Sequence, residues 1–294
     1  MSSRPGAVLL TIFVALALGV GLAFAGSDGS RETGGFPLFA LALAAAFLIQ
    51  FLAYIPAALL RTERFFDLTG GLTFAAVTVA LLACVLPADP RAWLLAAMVV
   101  VWGARLSFFL FLRVHAQGSD GRFDEIKVSP LPFLRVWTMQ GLWVAVTASA
   151  AWVGISSENR HGVDAWMFIG AVVWLLGLVL EVVADAQKAA FRRDPSQKGR
   201  FIQTGVWAWS RHPNYFGEIL VWVGVAIVAL PAATGWQWVT LISPVFVILL
   251  LTRVSGIPLL EKRADARWGD DADYQAYKAR TPVLVPRVRT PALR

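Results

Sequence analysis

The sequence predicts an all-α, polytopic membrane helix bundle of seven to eight transmembrane helices, followed by a cytoplasmic amphipathic C-terminal segment. Three observations carry this. Of 294 residues, 57% are hydrophobic and only 15% charged, where a soluble domain carries roughly 25% charged residues. Mean hydropathy is +0.64, and apolar runs recur near the length of about 20 residues that a hydrocarbon span needs. The runs are continuous rather than alternating, which excludes a membrane β-barrel.

Hydropathy places helices at 7–25, 37–60, 67–86, 92–112, 132–155, 165–186, 216–231 and 236–256. The first follows Arg4 and ends in an A-F-A-G-S stretch, so it also fits a secretory signal. Retention as a helix is preferred, because a multispan inner-membrane enzyme needs no cleaved leader. The seventh is short enough to be partly re-entrant. The resulting organisation is an N-terminal helix (1–26), a transmembrane body (27–257) and a cytoplasmic tail (258–294), with no internal repeat and no pair of broken helices.

The net charge of +7 is first a statement about topology in such a chain, and only weakly about nucleic acid. Arg61, Arg64, Arg113, Arg122 and Lys127 fall in one set of loops. Lys188, Arg192, Arg193, Lys198, Arg200 and Arg211 follow in the next, and eight further cations lie after residue 257. The opposite loops hold only Arg31, Arg91 and Arg160. The positive-inside rule therefore sets the basic loops and the tail in the cytoplasm, and the expected location is the bacterial inner membrane. The single cysteine, Cys84, excludes an internal disulfide or a cysteine metal cluster and reads as a packing residue. His115, His161 and His212 are too scattered to suggest a metal site. The thirteen tryptophans, Trp207 and Trp209 among them, read as an interfacial belt.

Ionisable side chains within spans cost about 2.5–3.5 kcal/mol each on insertion scales, so they mark function or a required partner. Here they are Asp67, Arg105, Glu181, Asp185, Glu218 and Arg253, and all but Arg105 fall toward the cytoplasmic ends. A polar pocket open to that side would collect them; snorkelling and interhelical ion pairs are the plainer reading. In "EVVADAQKAAFRR", Glu181 and Asp185 are followed along one stripe by Lys188 and Arg192, a pattern suited to a ribose and then a phosphate. It is also what a self-paired helix end would show. In "SRHPNYFGE", Pro213 suits a first helical turn, Asn214 and Glu218 share a face, and Arg211 and His212 lie just ahead. A helix start preceded by two such side chains is a favourable anion site. The chain has no G-x-G-x-x-G and no P-loop, so any nucleotide must be held by the helices and their loops.

The segments "EVVADAQKAAF" (181–191), "TGVWAWSRHPNYFGEILVW" (204–222), "RVSGIPLLEKR" (253–263) and "YQAYKARTPVLVP" (274–286) closely resemble the C-terminal half of the membrane steroid 5α-reductase family. A weaker match runs through "FFDLTGG" (65–71), "VVVWGARLSFFLFLR" (99–113) and "SDGRF" (119–123). The resemblance implies NADPH bound on the cytoplasmic side and hydride delivery to the C=C bond of an enone lipid. It assigns cofactor contacts to Asp185, Arg192, Asn214, Glu218, Arg253 and Glu261. It assigns phosphate-flanking or loop-ordering roles to Arg105, Arg113 and Arg122, and it lines the same cavity with His212 and Tyr215. Arg211 joins them through the anion-site argument.

In steroid-reducing relatives a glutamate and a tyrosine hold the substrate ketone. The corresponding places here are Asp67 and Trp102, so the substrate need not be a steroid. Asp67 donates a hydrogen bond only when protonated. Tyr54, with Gln50 one turn away, is a spare donor whose plainer role is interhelical bonding.

The G-V-x-x-x-x-R-H-P-x-Y stretch is also similar to isoprenylcysteine carboxyl methyltransferases, which bind S-adenosylmethionine and use a paired glutamate in the tail. The tail here reads "PLLEKR", with one glutamate, which favours the reductase. A non-enzymatic lipid-binding membrane protein is the third reading. Expected partners are a hydrophobic small molecule and membrane lipids, with no nucleic acid, and the expected state is a monomer. The tail "EKRADARWGDDADYQAYKAR" reads as an amphipathic segment on the membrane surface or over the pocket.

Overall fold

The computed structural model describes residues 5–117 and 123–287, with the side chains of 109–117 excepted. Among the described residues it is built almost wholly of helices, eight of them long and apolar enough to cross a membrane. The chain divides into two compact units, Met1–Phe168 with Val225–Ser243, and Ile169–Gly224 with Pro244–Arg294.

The first unit holds α1 (Pro5–Ser27), α2 (Leu38–Leu60), α3 (Phe66–Cys84), α4 (Pro90–Gln117) and α5 (Pro130–Ser156). A two-residue hairpin, β1 (Glu32–Thr33) and β2 (Phe36–Pro37), turns the chain from α1 to α2 through Gly34 and Gly35. The centre of this unit is α5, which packs on α1, α2, α3 and α4. Its second half is rich in Ala, Ser and Gly, and every residue of it from Ala148 to Ser156 is buried. Small side chains let neighbouring backbones approach, which replaces the missing hydrophobic drive between helices in lipid.

Several polar groups in this interior bond one another, which offsets the cost of their burial. Gln50 Nε2 donates to Thr73 Oγ1 at 2.8 Å, and the Trp152 indole donates to Thr78 Oγ1 at 2.9 Å. Arg91, 1% exposed, reaches Asp164 at 2.7 Å and the Val228 carbonyl at 2.5 Å.

The second unit contains most of α6 (Ala165–Arg193) and α7 (Pro213–Ala229), then α9 (Ile257–Trp268) and α10 (Ala272–Arg280). Here α6 and α7 run antiparallel with their backbones nearly touching. A Cβ placed on Gly177 would lie 2.6 Å from the Gly217 carbonyl oxygen, and one on Gly224 would lie 2.6 Å from that of Gly170. The obstructing atoms are backbone, so only glycine fits. This contact sets the register that brings the C-terminal part of α6 beside the start of α7.

Two spans depart from expectation. The sixth continues to Arg193 rather than ending at 186, its last turn carrying Arg192 and Arg193, which suit the negative end of the helix dipole. The eighth is not one α-helix. A 3-10 stretch (Gly235–Ile242) leads into α8 (Ser243–Leu249) and then a π-helical turn (Leu250–Val254). Thr234 and Gln237 cap the 3-10 stretch reciprocally, and Ser243 Oγ donates to the Thr147 carbonyl at 2.5 Å. Cys84, expected to pack, is exposed at the end of α3.

Candidate functional site

The "TGVWAWSRHPNY" stretch forms a folded shoulder rather than a plain loop. Gly205 adopts φ 61° and tucks the following 3-10 turn (Gly205–Ala208) against α6, where Val206 N–H donates to Gln187 Oε1 at 3.0 Å. A side chain at Gly205 would run into Gln187. This turn buries Trp207, whose indole donates to the Ala184 carbonyl at 3.0 Å while Lys188 Nζ sits 4.3 Å above its ring. The belt expectation is therefore corrected for Trp207: its one N–H is satisfied inside the protein, so it needs no headgroup. Pro213 opens α7 as expected, and Phe216 N–H bonds the His212 carbonyl to close the first turn.

The tail folds back onto this shoulder. Tyr277 OH donates to the Trp207 carbonyl at 2.8 Å, Arg211 N–H to Pro282 O at 2.9 Å, and Arg287 N–H to Trp209 O at 2.9 Å. Ser210 Oγ adds a bond to Leu284 O at 2.7 Å. Between shoulder, α6 and tail lies a cavity of about 540 Å³. Among the described residues seven cations line it (Lys188, Arg192, Lys198, Arg200, Arg211, Arg263 and Arg267), against one carboxylate, Glu261. The aromatic rings of Phe191, Phe201, Trp207, Trp268, Tyr274 and Tyr277 make up much of the remaining wall.

Glu261 is already committed. Its Oε2 accepts from Arg211 Nη1 at 2.5 Å, its Oε1 faces His212 Nε2 at 2.9 Å, and Lys278 Nζ lies 3.9 Å from Oε2. An ionised carboxylate accepts, so Nε2 carries the proton and the imidazole is held in one tautomer. Burial pushes the His212 pKa below its ordinary value, and hydrogen bonding to Glu261 opposes the shift only in part. The ring stacks on Tyr215 at 5.7 Å with an 11° tilt. Burial pushes the Tyr274 hydroxyl up to about 12 and that of Tyr277 higher still, so both remain donors.

The expected cofactor residues separate into groups. Arg192, Arg211, His212 and Glu261 line the cavity. Asp185 and Asn214 meet each other, Asn214 Nδ2 donating to Asp185 Oδ1 at 3.3 Å, one turn of α6 from Lys188. Glu218 follows Asn214 by a turn and is half-buried, and Arg253 is exposed in the π-helical turn; neither lines the cavity. Arg105 is half-buried in α4, within the first unit. The side chain of Arg113 and all of Arg122 lie outside the described residues.

The expected substrate-side residues also belong to the first unit. Asp67 stands in the first turn of α3, and Trp102 is buried edge-on against Phe74 at 5.3 Å. Tyr54 OH donates to the Pro130 carbonyl at 3.1 Å, and its ring packs with Phe123, Phe133 and Trp137, so it serves as an interhelical tie.

Lys198, Arg200, Arg263 and Arg267 are cavity residues that sequence reasoning passed over. The signal available was the i, i+4 spacing of Arg263 and Arg267 and the glycine between Lys198 and Arg200.

The sequence profile described as "Protein of unknown function (DUF1295)" matches residues 53–281. The chain belongs to the DUF1295 family. Among curated proteins, this DUF1295 chain is 31% identical over 151 residues to the Delta(14)-sterol reductase of Methylotuvimicrobium alcaliphilum, covering 45% of the chain and 33% of that protein. It is 25% identical over 163 residues to an uncharacterized protein of Schizosaccharomyces pombe, covering 46% of the chain and 47% of that protein. The chain thus spans between a third and a half of the length of these relatives.

Proposed function

We propose that this protein is an NADPH-dependent membrane reductase acting on a C=C bond of an enone lipid, resembling the steroid 5α-reductases. The observation that carries the reading is the charge of the cavity: seven cations face one carboxylate that is itself neutralised by Arg211. Such a wall suits a polyanion. It disfavours S-adenosylmethionine, whose sulfonium and ammonium groups would meet a wall of like charge. The volume is that of small-ligand and cofactor pockets, and the aromatic lining suits a nucleobase. The similarity to a protein named as a sterol reductase supports reduction of a lipid.

In this reading Lys188, Arg192 and Arg211 hold phosphate, and the Asp185–Asn214 pair offers an acceptor and a donor to ribose hydroxyls. His212, fixed by Glu261 and Tyr215, shapes the wall beside them, and Glu218 extends the polar face of α7. Arg105, Arg113, Arg122 and Arg253 stay candidates for phosphate or loop contacts. NADPH, when bound, supplies hydride. The protein's task at the substrate is to place a hydrogen-bond donor at the carbonyl oxygen where negative charge develops and water is excluded. Asp67 in its protonated form and the Trp102 indole are the candidate donors, with Tyr54 in reserve. The basic loops and this cavity face the cytoplasm of a bacterial cell in the same reading.

The test is turnover by purified protein in nanodiscs, following loss of NADPH fluorescence with a panel of enone lipids. Consumption that depends on the lipid and yields the saturated ketone supports the reading. Methyl transfer from S-adenosylmethionine to a lipid, with no NADPH consumption, contradicts it.

A further inference from the structure

The cavity cations fall into two classes. Lys188 is engaged over the Trp207 ring and Arg211 by Glu261, whereas Lys198, Arg200 and Arg263 have no ion pair or hydrogen-bonded side-chain partner among the described residues. The carboxylates near them in sequence are spent elsewhere. Asp194 caps the short 3-10 turn through Ser196 N–H at 2.9 Å. Glu261 holds Arg211 and His212, and Asp265 holds Lys278 at 2.6 Å and Tyr274 at 3.2 Å.

These three cations are nonetheless carried on fixed backbone. Gly199 adopts φ 86°, which only glycine takes readily, and it turns the chain so that Lys198 and Arg200 flank the turn. The Gly199 carbonyl accepts the Trp268 indole N–H at 2.7 Å, tying that turn to the end of α9. Arg200 N–H bonds the Gln197 carbonyl at 3.0 Å, and Arg280 Nη2 anchors Gln203 Oε1 at 2.5 Å a few residues on. Arg263 projects from α9 into the same cavity. Arg267 lies over the Trp268 ring at 4.9 Å and buttresses the junction.

We infer that Lys198, Arg200 and Arg263 form a clamp for a phosphomonoester, and that this clamp selects the 2′-phosphorylated dinucleotide over its unphosphorylated counterpart. The inference rests on the nucleotide reading above and specifies which residues set its preference. A phosphomonoester carries close to two negative charges at neutral pH and three acceptor oxygens, and two guanidinium forks with an ammonium match that demand. The clamp is separate from Lys188 and Arg211, so its loss is expected to cost the 2′-phosphate contact and spare the rest of the ligand.

The experiment is equilibrium binding of NADPH, NADH, 2′,5′-ADP and 5′-AMP to the full chain in phosphatidylcholine nanodiscs, which hold no phosphomonoester lipid. Wild type is expected to prefer NADPH over NADH and 2′,5′-ADP over 5′-AMP. Arg200→Ala and Arg263→Ala should each weaken NADPH and 2′,5′-ADP by about tenfold or more, with NADH affinity and thermal midpoint unchanged. Equal losses for NADPH and NADH, or no loss for either, would overturn the clamp. Arg263-dependent binding of 2′,5′-ADP without NADPH turnover would leave the clamp standing and sink the reductase reading. Failure of 2′,5′-ADP to bind wild type would remove the clamp itself.

Discussion

The helices α5 and α6 make an instructive pair. Each is long enough to span a bilayer, at 27 and 29 residues, yet the most apolar stretch of α5 is 83% buried and that of α6 only 28%. Alanine, serine and glycine crowd α5, and several of its polar groups bond partners within the first unit, as Trp152 does with Thr78 and Ser149 with the Thr240 carbonyl. The α6 helix shows leucine and valine on its outer side, and its closest approach to α7 is made at Gly170 and Gly177. In the first unit several polar groups hold helices together, as Gln50 does with Thr73 and Arg91 with Asp164. In the second unit they collect beyond the glycine contact, where among the described residues seven cations and one carboxylate line the cavity.

The largest effect expected from breaking this comparison is at the glycine contact. Gly217→Val puts side-chain carbon against the Gly177 carbonyl and the Glu181 amide, both immovable, and overpacking of this kind typically costs about 1–3 kcal/mol or more. The check is loss of a single folded species by size exclusion and a lowered thermal midpoint. Leu176→Ala, on an exposed part of α6, should leave both within error.

Next comes Glu261→Ala. It strips Arg211 and His212 of their shared acceptor, at a cost of roughly 1–3 kcal/mol for the donors left behind. Glu261→Gln, which keeps one acceptor oxygen, should lose less, and a chemical denaturation series on the two variants separates them. Asn214→Ala removes one bond, at 3.3 Å, between α6 and α7. About 1 kcal/mol of stability is expected from that bond, together with weakened NADPH binding if the pair also serves ribose. Unchanged affinity would confine Asn214 to a structural role.

The smallest effect concerns pH. Burial holds the folded-state pKa of His212 below the ordinary 6.5, so the unfolded chain takes up a proton first as pH falls. His212 therefore contributes nothing to pH dependence above that value, and stability declines as pH drops below about 6.5 until the folded form also protonates. The thermal midpoint of wild type should fall in that range, and that of His212→Gln should fall less.

Much of this architecture is legible in the sequence. The spans follow from apolar runs, and the start of α7 from Pro213 after Arg211 and His212. The meeting of Asp185 with Asn214 was visible only as two helix-end motifs that wanted a common ligand. What escaped sequence reasoning has a common cause, because it depends on contacts distant in the chain. Glu261 reaches back 50 residues to Arg211, and no local spacing announces that. Trp207 looked like a belt residue because its burial is created by the Gly205 turn and by Tyr277 from α10. Arg263 and Arg267 looked like the wet face of an amphipathic helix because periodicity reports a polar face without saying what stands opposite. The breakup of the eighth span into 3-10, α and π geometry was hidden for the same reason, since Ser243 is fixed by a carbonyl on α5.

The central claim is that a cation-rich cavity formed by α6, the shoulder before α7 and the folded-back tail binds a phosphorylated dinucleotide. Calorimetric titration of the wild-type chain with NADPH and, separately, with S-adenosylmethionine tests it most directly. The account predicts saturable NADPH binding that weakens as salt rises and is lost in Arg211→Ala, with no heat from S-adenosylmethionine. Saturable binding of S-adenosylmethionine with none of NADPH would contradict it.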